Sequence, residues 1–431
     1  MGFPDARQRV KVEVAAIRPP PVTTRPPAVC MMAIAPPGWP RIGLRRPEWL
    51  VRETTSDLGP GGERICVEHL RVEALQDLSM FPGLIEQEPS RLRDAMRLCF
   101  AGGSAAADVL MVYGTDRAPW EIDHPDVLTM CNSFLDDLFG VLLVFPDAGR
   151  PVLRPSRWVE DPEVGLVPRH PFHPEESAAR VQRLIRWLRQ PLEQRYQIAL
   201  IDAIGMPPER ILPPTGADVA ICGWRGMARE LRTHGWRCAS ALMAGRLGRP
   251  SVSLFEGVAG QVVPLPPGRA VHMDRRAELA VLPGPLRVPQ ADPRHVLLSL
   301  DDRGHRARID GDVCLRAPVG QWTMPALRTV KALHYQIVRA ASLVTFQLVN
   351  QAQSFALQVA INEAIRPFVQ AGVLVGPDAA GPPVVTGEMI RDPAQPGLAA
   401  NIAAQIRPWC RDIQIRVGLR SGGTPEIEVK A

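Results

Sequence analysis

The C-terminal part of the chain carries the clearest pattern of apolar and polar positions. Seven residues recur at spacings of three and four, which predicts a long amphipathic helix with a packed seam: Leu327, Val330, His334, Ile337, Ala341, Val344 and Leu348. A second helix is predicted from five residues that share one face: Leu357, Ile361, Ala364, Ile365 and Phe368. We expect Pro367 and Gly372 to close this second helix.

Alternating patterns typical of strands follow the two helices. The segments GVLVG and PVVTGEMI indicate short β pieces, whereas the alanine-rich stretch around 398–406 predicts a short helix. In DIQIRVGLR (412–420) the apolar residues alternate strictly with polar or small ones, and they are Ile413, Ile415, Val417 and Leu419. The alternation returns after the turn SGGTP, with Ile427 and Val429 in EIEV. The chain is therefore predicted to end in two strands.

The N-terminus shows the same two-residue period. Residues 9–14 read RVKVEV, so Val10, Val12 and Val14 alternate with charged residues, as in a half-buried strand. Five prolines follow between 19 and 27, and they predict a stiff, extended arm. This strand could fold onto the edge of its own sheet or pair with a sheet in a neighbouring copy, and the pattern leaves both open.

Helices and strands alternate in the middle of the chain. Helices are predicted at 89–103, at PDVLTMCNSFLDDL, at ESAARVQRLIRWLRQPLEQ and at GWRGMARELRTHGW. Buried strands are predicted at 107–114, 139–146 and 196–205, and a β piece at HVLLSL. Periodicity does not decide between helix and strand for RCASALMAGRLGR. Strand, helix and strand in that order indicate α/β units.

The predicted fold class is α+β, or mixed α/β, in a multidomain chain with extended terminal strands. We expect an N-terminal strand and proline-rich arm at 1–29, and an α/β domain at 30–165. A connector at 166–176 precedes a central α/β domain at 175–320, and a helix-helix-β domain with a terminal strand follows at 321–431.

Composition is that of an ordinary soluble protein, with 46% hydrophobic and 22% charged residues. A formal charge of +5 over 431 residues is a weak signal, so neither nucleic acid nor a membrane is expected as a direct partner. The eight cysteines form no CxxC pair, and no signal peptide is visible, so we expect a protein of the reducing cytoplasm.

Candidate chemistry is weak throughout. Asp202 ends the apolar run QIALID, as in the magnesium-binding strand of P-loop enzymes, but the phosphate-cradling GxxxxGK[ST] is missing. Pro168, Pro171 and Pro174 surround His170 and His173, so neither a helix nor a strand is expected to place the two histidines on one face, as a metal site needs. Asp310 and Asp312 lack the spacing of a calcium loop. No catalytic residue, cofactor or metal is therefore expected, and the protein is not expected to be an enzyme.

The C-terminal region resembles the C-terminal domain of contractile tail sheath proteins. The resemblance rests on LRTVKALHYQIVRAASLVTFQLVNQAQSFALQVAINEAIRPFVQAGVLVG and on DIQIRVGLRSGGTPEIEV. Its parts are a long helix that ends near Asn350, a second helix up to Gly372, a short strand that ends in Gly376, and the terminal alternating strand. A weaker resemblance extends to YQIALIDAIG and ASALMAGRLGRPS in the family's central domain.

The resemblance implies a structural subunit that polymerises helically around an inner tube and contracts to drive the tube into a target. The implied partners are other copies of the chain, the inner tube protein, and baseplate and cap proteins. The implied location is the cytoplasm of the producing bacterial cell and then a phage tail or tail-like particle. The alternatives are a nucleotide-binding or enzymatic α/β protein centred on 196–205, and a monomeric adaptor or baseplate component of the same apparatus.

Overall fold

Strands from both sides of the 166–176 connector lie in a single large sheet of the computed structural model. The structure describes residues 28–36, 38–57, 64–82, 92–114, 124–135, 138, 140–146, 158–161, 165–168, 174–202, 218–224, 238–250, 257–265, 295–300, 306–314, 322–342, 351–377, 381–390, 397–406, 411–420 and 426–430. These residues divide into two compact units, one made of Thr24–Ala332 and a second that includes Leu333–Ala431.

Ten strands form the large sheet of the first unit. They are β1 (Val29–Ile34), β2 (Leu50–Asp57), β3 (Arg64–Glu73), β4 (Ala106–Tyr113), β5 (Leu142–Val144), β8 (Ile198–Asp202), β9 (Val219–Trp224), β10 (Val262–Pro264), β11 (His295–Leu300) and β12 (Arg306–Ile309). Their order is β10-β12-β11-β9-β8-β5-β1-β4-β3-β2. A separate hairpin pairs β6 (Trp158–Asp161) with β7 (Gly165–Pro168).

The middle of this sheet is parallel and its two sides are antiparallel. Strands β4, β1, β5, β8, β9 and β11 run parallel to their neighbours. On one side β4, β3 and β2 pair antiparallel, and on the other β11, β12 and β10 do so. The sheet is therefore mixed, and its parallel centre is almost fully apolar because helices cover both faces.

Helices flank the sheet in three layers. On one face, α3 (Pro125–Leu135) and α4 (Pro174–Gln194) share an apolar core with the strands. On the other face lie α2 (Leu92–Gly102) and α5 (Ala239–Leu247), which pack on each other. Successive side chains of β8 point to these two faces in turn. Ile201 lies in the core shared with α3 and α4, whereas Asp202 contacts α5 on the other face. A short helix, α1 (Ile42–Arg45), precedes β2.

Several elements predicted from the sequence are confirmed. The predicted helix at 89–103 is α2, PDVLTMCNSFLDDL begins α3 at Pro125, and the helix before 196–205 is α4. The predicted strands at 107–114, 139–146 and 196–205 are β4, β5 and β8. The ambiguous stretch RCASALMAGRLGR forms the helix α5.

Helix α6 (Met324–Ser342) begins in the first unit, and the division between the units falls within it, after Ala332. The second unit also holds α7 (Gln351–Gln370) and the strands β13 (Leu374–Val375), β14 (Val384–Ile390), β15 (Gly397–Ile406), β16 (Arg411–Arg420) and β17 (Glu426–Lys430). Helix α7 buries the predicted face from Leu357 to Phe368. It runs through Pro367 to Gln370, and Gly372 follows with a φ of 67°. Pro367 therefore does not end this helix, whereas Gly372 lies just beyond its end.

The predicted short helix around 398–406 is wrong, because these residues form β15. Leu398, Ile402 and Ile406 are buried at even spacings, and alanines hold the buried positions between them. Alanine favours a helix in isolation and hides the two-residue period. Here β15 is the central strand of its sheet, so packing on both sides overrides the helical propensity of its alanines.

Some predicted elements lie outside the described residues. They include the strand at 9–14 with Val10, Val12 and Val14, most of the helix at GWRGMARELRTHGW, and the end of the long helix with Val344 and Leu348. The domain boundaries at 29, 165, 175 and 320 stay predictions, although strands from both 30–165 and 175–320 belong to the ten-stranded sheet.

Candidate assembly edge and other candidate sites

Among the described strands, the sheet of the second unit ends at β17. Its strands follow the order β13-β15-β16-β17, and β14 pairs with β15 beside β13. Strand β16 pairs antiparallel with β15 along all of its residues and with β17 on its other side. Within the described part of the chain, β17 has a strand on one side alone. A strand at the edge of a sheet carries backbone N–H and C=O groups that another strand can pair with, so β17 is the candidate edge for assembly.

Two apolar rows cross this sheet and end at β17. One row joins Val385, Ile402, Ile415 and Val429, and the other joins Ala400, Val417 and Ile427. Ile402 and Val417 are 1% and 0% exposed, so these rows mark the covered face of the sheet. A strand added at β17 with apolar residues at the same positions would extend this face by one more strand.

The opposite face of the sheet is polar. Arg416 donates a hydrogen bond of 3.0 Å to Glu388, and both side chains are about half exposed. Arg416 lies opposite Asn401 on one side and opposite Glu428 on the other. The alternation read from the sequence thus corresponds to one covered face and one solvent face.

Helix α7 covers the apolar face near β14. The side-chain amide of Gln358 donates a hydrogen bond of 2.6 Å to the backbone carbonyl of Val385. A Cβ at Gly387 would lie 2.8 Å from the Ser354 hydroxyl oxygen, so the glycine permits close approach of helix and strand. Helix α7 is therefore packed on β14, at the side of the sheet away from β17.

The predicted C-terminal residues lie on these two strands. Ile413, Ile415, Val417 and Leu419 are on β16, and Ile427 and Val429 are on β17. The sequence hypothesis has these strands complete a sheet in a neighbouring copy, whereas β16 is paired on both sides within this chain. An intermolecular role for them stays a prediction, and β17 is the last of the described strands on this side of the sheet.

The predicted helix seam lies on α6. Leu327, Val330 and Ile337 are buried. On the same helix the ammonium of Lys331 is 2.5 Å from a carboxylate oxygen of Asp218, and it donates a 2.8 Å hydrogen bond to the carbonyl of Leu192. This buried ion pair fixes the start of α6 to the end of α4 and the start of β9. Sequence periodicity gave no sign of it, because Asp218 is distant in the chain.

Asp202 is buried and its carboxylate is hydrogen-bonded at the start of α5. One oxygen accepts from the backbone N–H of Ser240 at 2.9 Å, and the other accepts from the Ser240 hydroxyl and the Cys238 thiol at 2.8 Å each. Burial raises the pKa of Asp202 to about 6. The carboxylate thus caps a helix from a neighbouring strand, which explains its place without a phosphate ligand.

A second buried carboxylate, Glu68, fixes the segment before β2. It accepts hydrogen bonds from Arg41, from the backbone N–H of Gly43 and from the Tyr113 hydroxyl, at 2.9, 3.0 and 2.9 Å. Burial and the charge of Glu68 raise the pKa of Tyr113. A cavity of about 450 Å³ opens beside Arg41 and Tyr113 at the carboxyl ends of β1 and β4. Sequence reasoning did not single out these residues.

The remaining candidate residues from the sequence analysis do not form a site among the residues that the structure describes. His170 and His173 lie outside the described residues. Asp310 accepts a 3.2 Å hydrogen bond from the Ser299 hydroxyl, and burial raises the pKa of Asp312. Among the residues that the structure describes, no three His, Cys, Asp or Glu side chains are grouped to hold a metal ion. The described helices include none with the length and apolar character needed to span a bilayer.

Comparison with models of known protein families found no match, and comparison with curated proteins found none either. Comparison with solved structures did find matches. The helical sheath of the anti-feeding prophage in its contracted state matches with a TM-score of 0.50 and 17% identity, over 84% of this chain and 83% of that one.

Two further matches come from related particles. A chain of the anti-feeding prophage baseplate has a TM-score of 0.49 and 16% identity, over 85% of this chain and 86% of that one. The contracted PVC sheath complex of an extracellular contractile injection system has a TM-score of 0.46 and 14% identity, over 94% and 87%. Because its structure is similar to that of the anti-feeding prophage sheath, this chain has the fold of a contractile sheath subunit.

Proposed function

We propose that this protein is a structural subunit of the sheath of a contractile tail or injection system. The observation that carries the proposal is the shared fold over 84% of the chain with a subunit that forms a helical sheath. The described residues support it, because their buried carboxylates cap helices and fix loops. The proposed role is mechanical, and the protein is not an enzyme and uses no cofactor.

Copies of the chain polymerise through their terminal strands. The open edge of β17 accepts a strand, and the N-terminal segment with Val10, Val12 and Val14 supplies one from a neighbouring copy. Each copy then carries one donor strand and one acceptor edge. A contact of this kind is heterologous, so it propagates into a helix when it does not close on itself.

The helical polymer surrounds an inner tube and is anchored by baseplate and cap proteins. Contraction rearranges the subunits while the paired strands hold neighbours together, and the tube is driven into a target. The protein is made in the cytoplasm of a bacterial cell and leaves it within a phage tail or tail-like particle.

Particles assembled in the producing cell test this function. The chain is expressed together with the neighbouring genes of its own genome, and particles are collected by sedimentation and analysed by mass spectrometry. We expect the chain to be among the most abundant components of the pellet. A variant truncated after Arg420 lacks β17 and should stay in the supernatant. A full-length chain that remains monomeric in the supernatant would contradict the proposal.

A further inference from the structure

The cavity of about 450 Å³ in the first unit is lined by a row of side chains that crosses three strands. Thr55 of β2 lies opposite Cys66 of β3, and Cys66 lies opposite Tyr113 of β4, so the three side chains share one face of the sheet. The segment after β1 adds Trp39, whose indole N–H donates a 3.2 Å hydrogen bond to the carbonyl of Met80. A cavity of this size, at the carboxyl ends of parallel strands, is typical of a small-molecule site.

Two guanidinium groups flank this row from opposite directions. On β3, Arg64 and Glu68 lie two residues to either side of Cys66, so the three point to the same face at intervals of about 7 Å. Glu68 accepts a 2.9 Å hydrogen bond from Arg41, and both Arg41 and Arg64 line the cavity. Positive charge is therefore present at both ends of the row.

Arg41 is held in a fixed orientation and still has donors to offer. Its Nε donates to Glu68 and its Nη2 donates to Glu53, and the side chain of Glu68 is fully buried. A guanidinium carries five N–H groups, and these two bonds use two of them. The other N–H groups of Arg41 have no acceptor among the residues that the structure describes. A donor that is oriented before a ligand arrives loses little freedom on binding.

Arg64 is the second available guanidinium. Its side chain is exposed, and within the described part of the chain it makes no hydrogen bond or ion pair. Asp57 lies opposite Arg64 in the pairing of β2 with β3, but the two side chains are not joined by an ion pair. Arg64 can therefore donate to a ligand without breaking a contact of the described residues.

The lining of the cavity carries no negative charge. Burial raises the pKa of the Cys66 thiol and of the Tyr113 hydroxyl, so both groups are neutral at neutral pH. Glu53 and Glu68 are bonded to Arg41, and neither of them lines the cavity. An anion would therefore gain from both arginines, whereas a cation would be repelled by them.

We propose that this cavity binds a small molecule that carries a carboxylate or a phosphate on a planar ring. The oxyanion lies between Arg41 and Arg64, and the ring packs against Trp39 and Tyr113. This site goes beyond the proposed function, because a mechanical subunit needs no small ligand. The bound molecule ties the segment after β1 to the edge strands β2 and β3, so it stabilises the folded first unit as its concentration rises.

Ligand-observed NMR titrations of the purified full-length chain test the class of ligand. Phenyl phosphate and benzoate carry the oxyanion on a ring, benzamide is the neutral analogue of benzoate, and inorganic phosphate lacks the ring. We expect saturable binding of phenyl phosphate or benzoate with a Kd on the order of 1 mM, and at least tenfold weaker binding of benzamide. The tighter of the two ring anions identifies the oxyanion as phosphate or carboxylate.

Three results would overturn the proposal. One is the absence of saturable binding by both ring anions. Another is equal affinity for benzoate and benzamide, since the charge would then contribute nothing. Equal affinity for phenyl phosphate and inorganic phosphate would overturn the contact with the ring.

Arg64→Ala locates the binding in the cavity. We expect the Kd of the tighter ring anion to rise roughly tenfold or more, because charge-assisted hydrogen bonds are lost. Arg45→Ala is the matched control, since it removes the same charge from an exposed position outside the cavity. Arg41 is left unchanged, because its removal would leave Glu68 buried without a partner and would test folding instead. Equal affinities of the Arg64→Ala and Arg45→Ala variants would overturn the proposal.

A second variant fills the cavity. Thr55→Trp places a large ring in the middle of the row, at an exposed strand position that accepts aromatic residues. We expect it to abolish binding, whereas Val51→Trp on the same strand lies outside the cavity and should bind as the wild type does. Circular dichroism confirms that both variants are folded. Unchanged binding by a folded Thr55→Trp variant would place the ligand elsewhere and overturn the proposal.

The outcome does not depend on the sheath role. If the chain enters particles but binds neither ring anion, the ligand site is wrong and the sheath role stands. If the ring anions bind as expected but the chain never enters particles, the ligand site stands and the sheath role is wrong.

Discussion

At the scale of single residues, Asp202 couples stability to pH. Its pKa is raised to about 6 by burial, so between about pH 4 and 6 the folded state binds a proton that the unfolded chain, with a pKa of about 3.9, has released. Stability from this group is therefore greatest at low pH and falls as the pH rises through 6. The total change is on the order of 3 kcal/mol.

Asp202→Asn removes this titration. We expect the stability of the wild type relative to the variant to increase as the pH is lowered from 7 to 4. Urea unfolding of both proteins at each pH measures the difference. Lost hydrogen bonds to Ser240 and Cys238 add an offset that does not depend on pH. A difference that stays constant from pH 4 to 7 would show that the carboxylate is not shifted in this way.

Gly245 is a second residue on which local structure depends. A Cβ there would lie 1.9 Å from the carbonyl oxygen of Cys99, because α5 crosses α2 at this point. Gly245→Ala should cost about 3 kcal/mol of unfolding free energy, since the backbones of two helices would have to separate. Gly257→Ala is the matched control, because the nearest atom, an Asp312 oxygen, is 3.4 Å away. Equal stabilities of the two variants in urea would contradict the crossing.

At the scale of elements, the ion pair of Lys331 and Asp218 anchors α6. Both side chains are less than a tenth exposed, so Lys331→Met leaves the carboxylate of Asp218 without its ammonium partner. We expect a loss of about 3–5 kcal/mol. The double variant Lys331→Met with Asp218→Leu should recover most of it, because two apolar side chains need no compensation. Thermal unfolding compares the two, and a double variant no more stable than the single one would contradict an ion-pair origin.

The elements also show what sequence patterns can and cannot predict. The faces of α6 and α7 were predicted because seam residues such as Leu327 and Leu357 repeat with the period of the helix. Strand β15 was missed because alanines occupy part of its covered face. Patterns identified β16 and β17 as strands but not their pairing within one chain, since alternation specifies a face and not a partner.

Sites built from distant residues escaped prediction for a related reason. Asp202 was noticed as the end of a strand, but its role depends on α5, which starts 37 positions later at Ala239. Glu68, Arg41 and Tyr113 carry no local motif, and their contact arises from the pairing of β3 with β4 and the segment before β2. Contacts between residues that are distant in the chain depend on the fold, and the periodicity of a single sequence does not predict them.

At the scale of the whole molecule, the chain combines a sheath fold with a C-terminal sheet whose described strands end at β17. The first unit is a three-layer structure around a ten-stranded sheet, and the second presents β17 at the edge of its own sheet. The assembly that we propose would require little change in either unit, because the contact would consist of backbone hydrogen bonds along one strand. Single substitutions in the core should lower the free energy of unfolding. Changes in residues 9–14 should lower the fraction of the protein that assembles and leave the free energy of unfolding unchanged.

Negative-stain electron microscopy of the purified full-length protein, beside a variant that lacks residues 1–20, tests whether copies of the chain assemble through the N-terminal segment. We expect striated tubes or rings from the full-length chain and dispersed single particles from the truncated one, with both folded as judged by circular dichroism. Tubes from both proteins would contradict a role of the N-terminal strand in assembly. Single particles from both, at concentrations well above those used for purification, would contradict self-assembly through terminal strands.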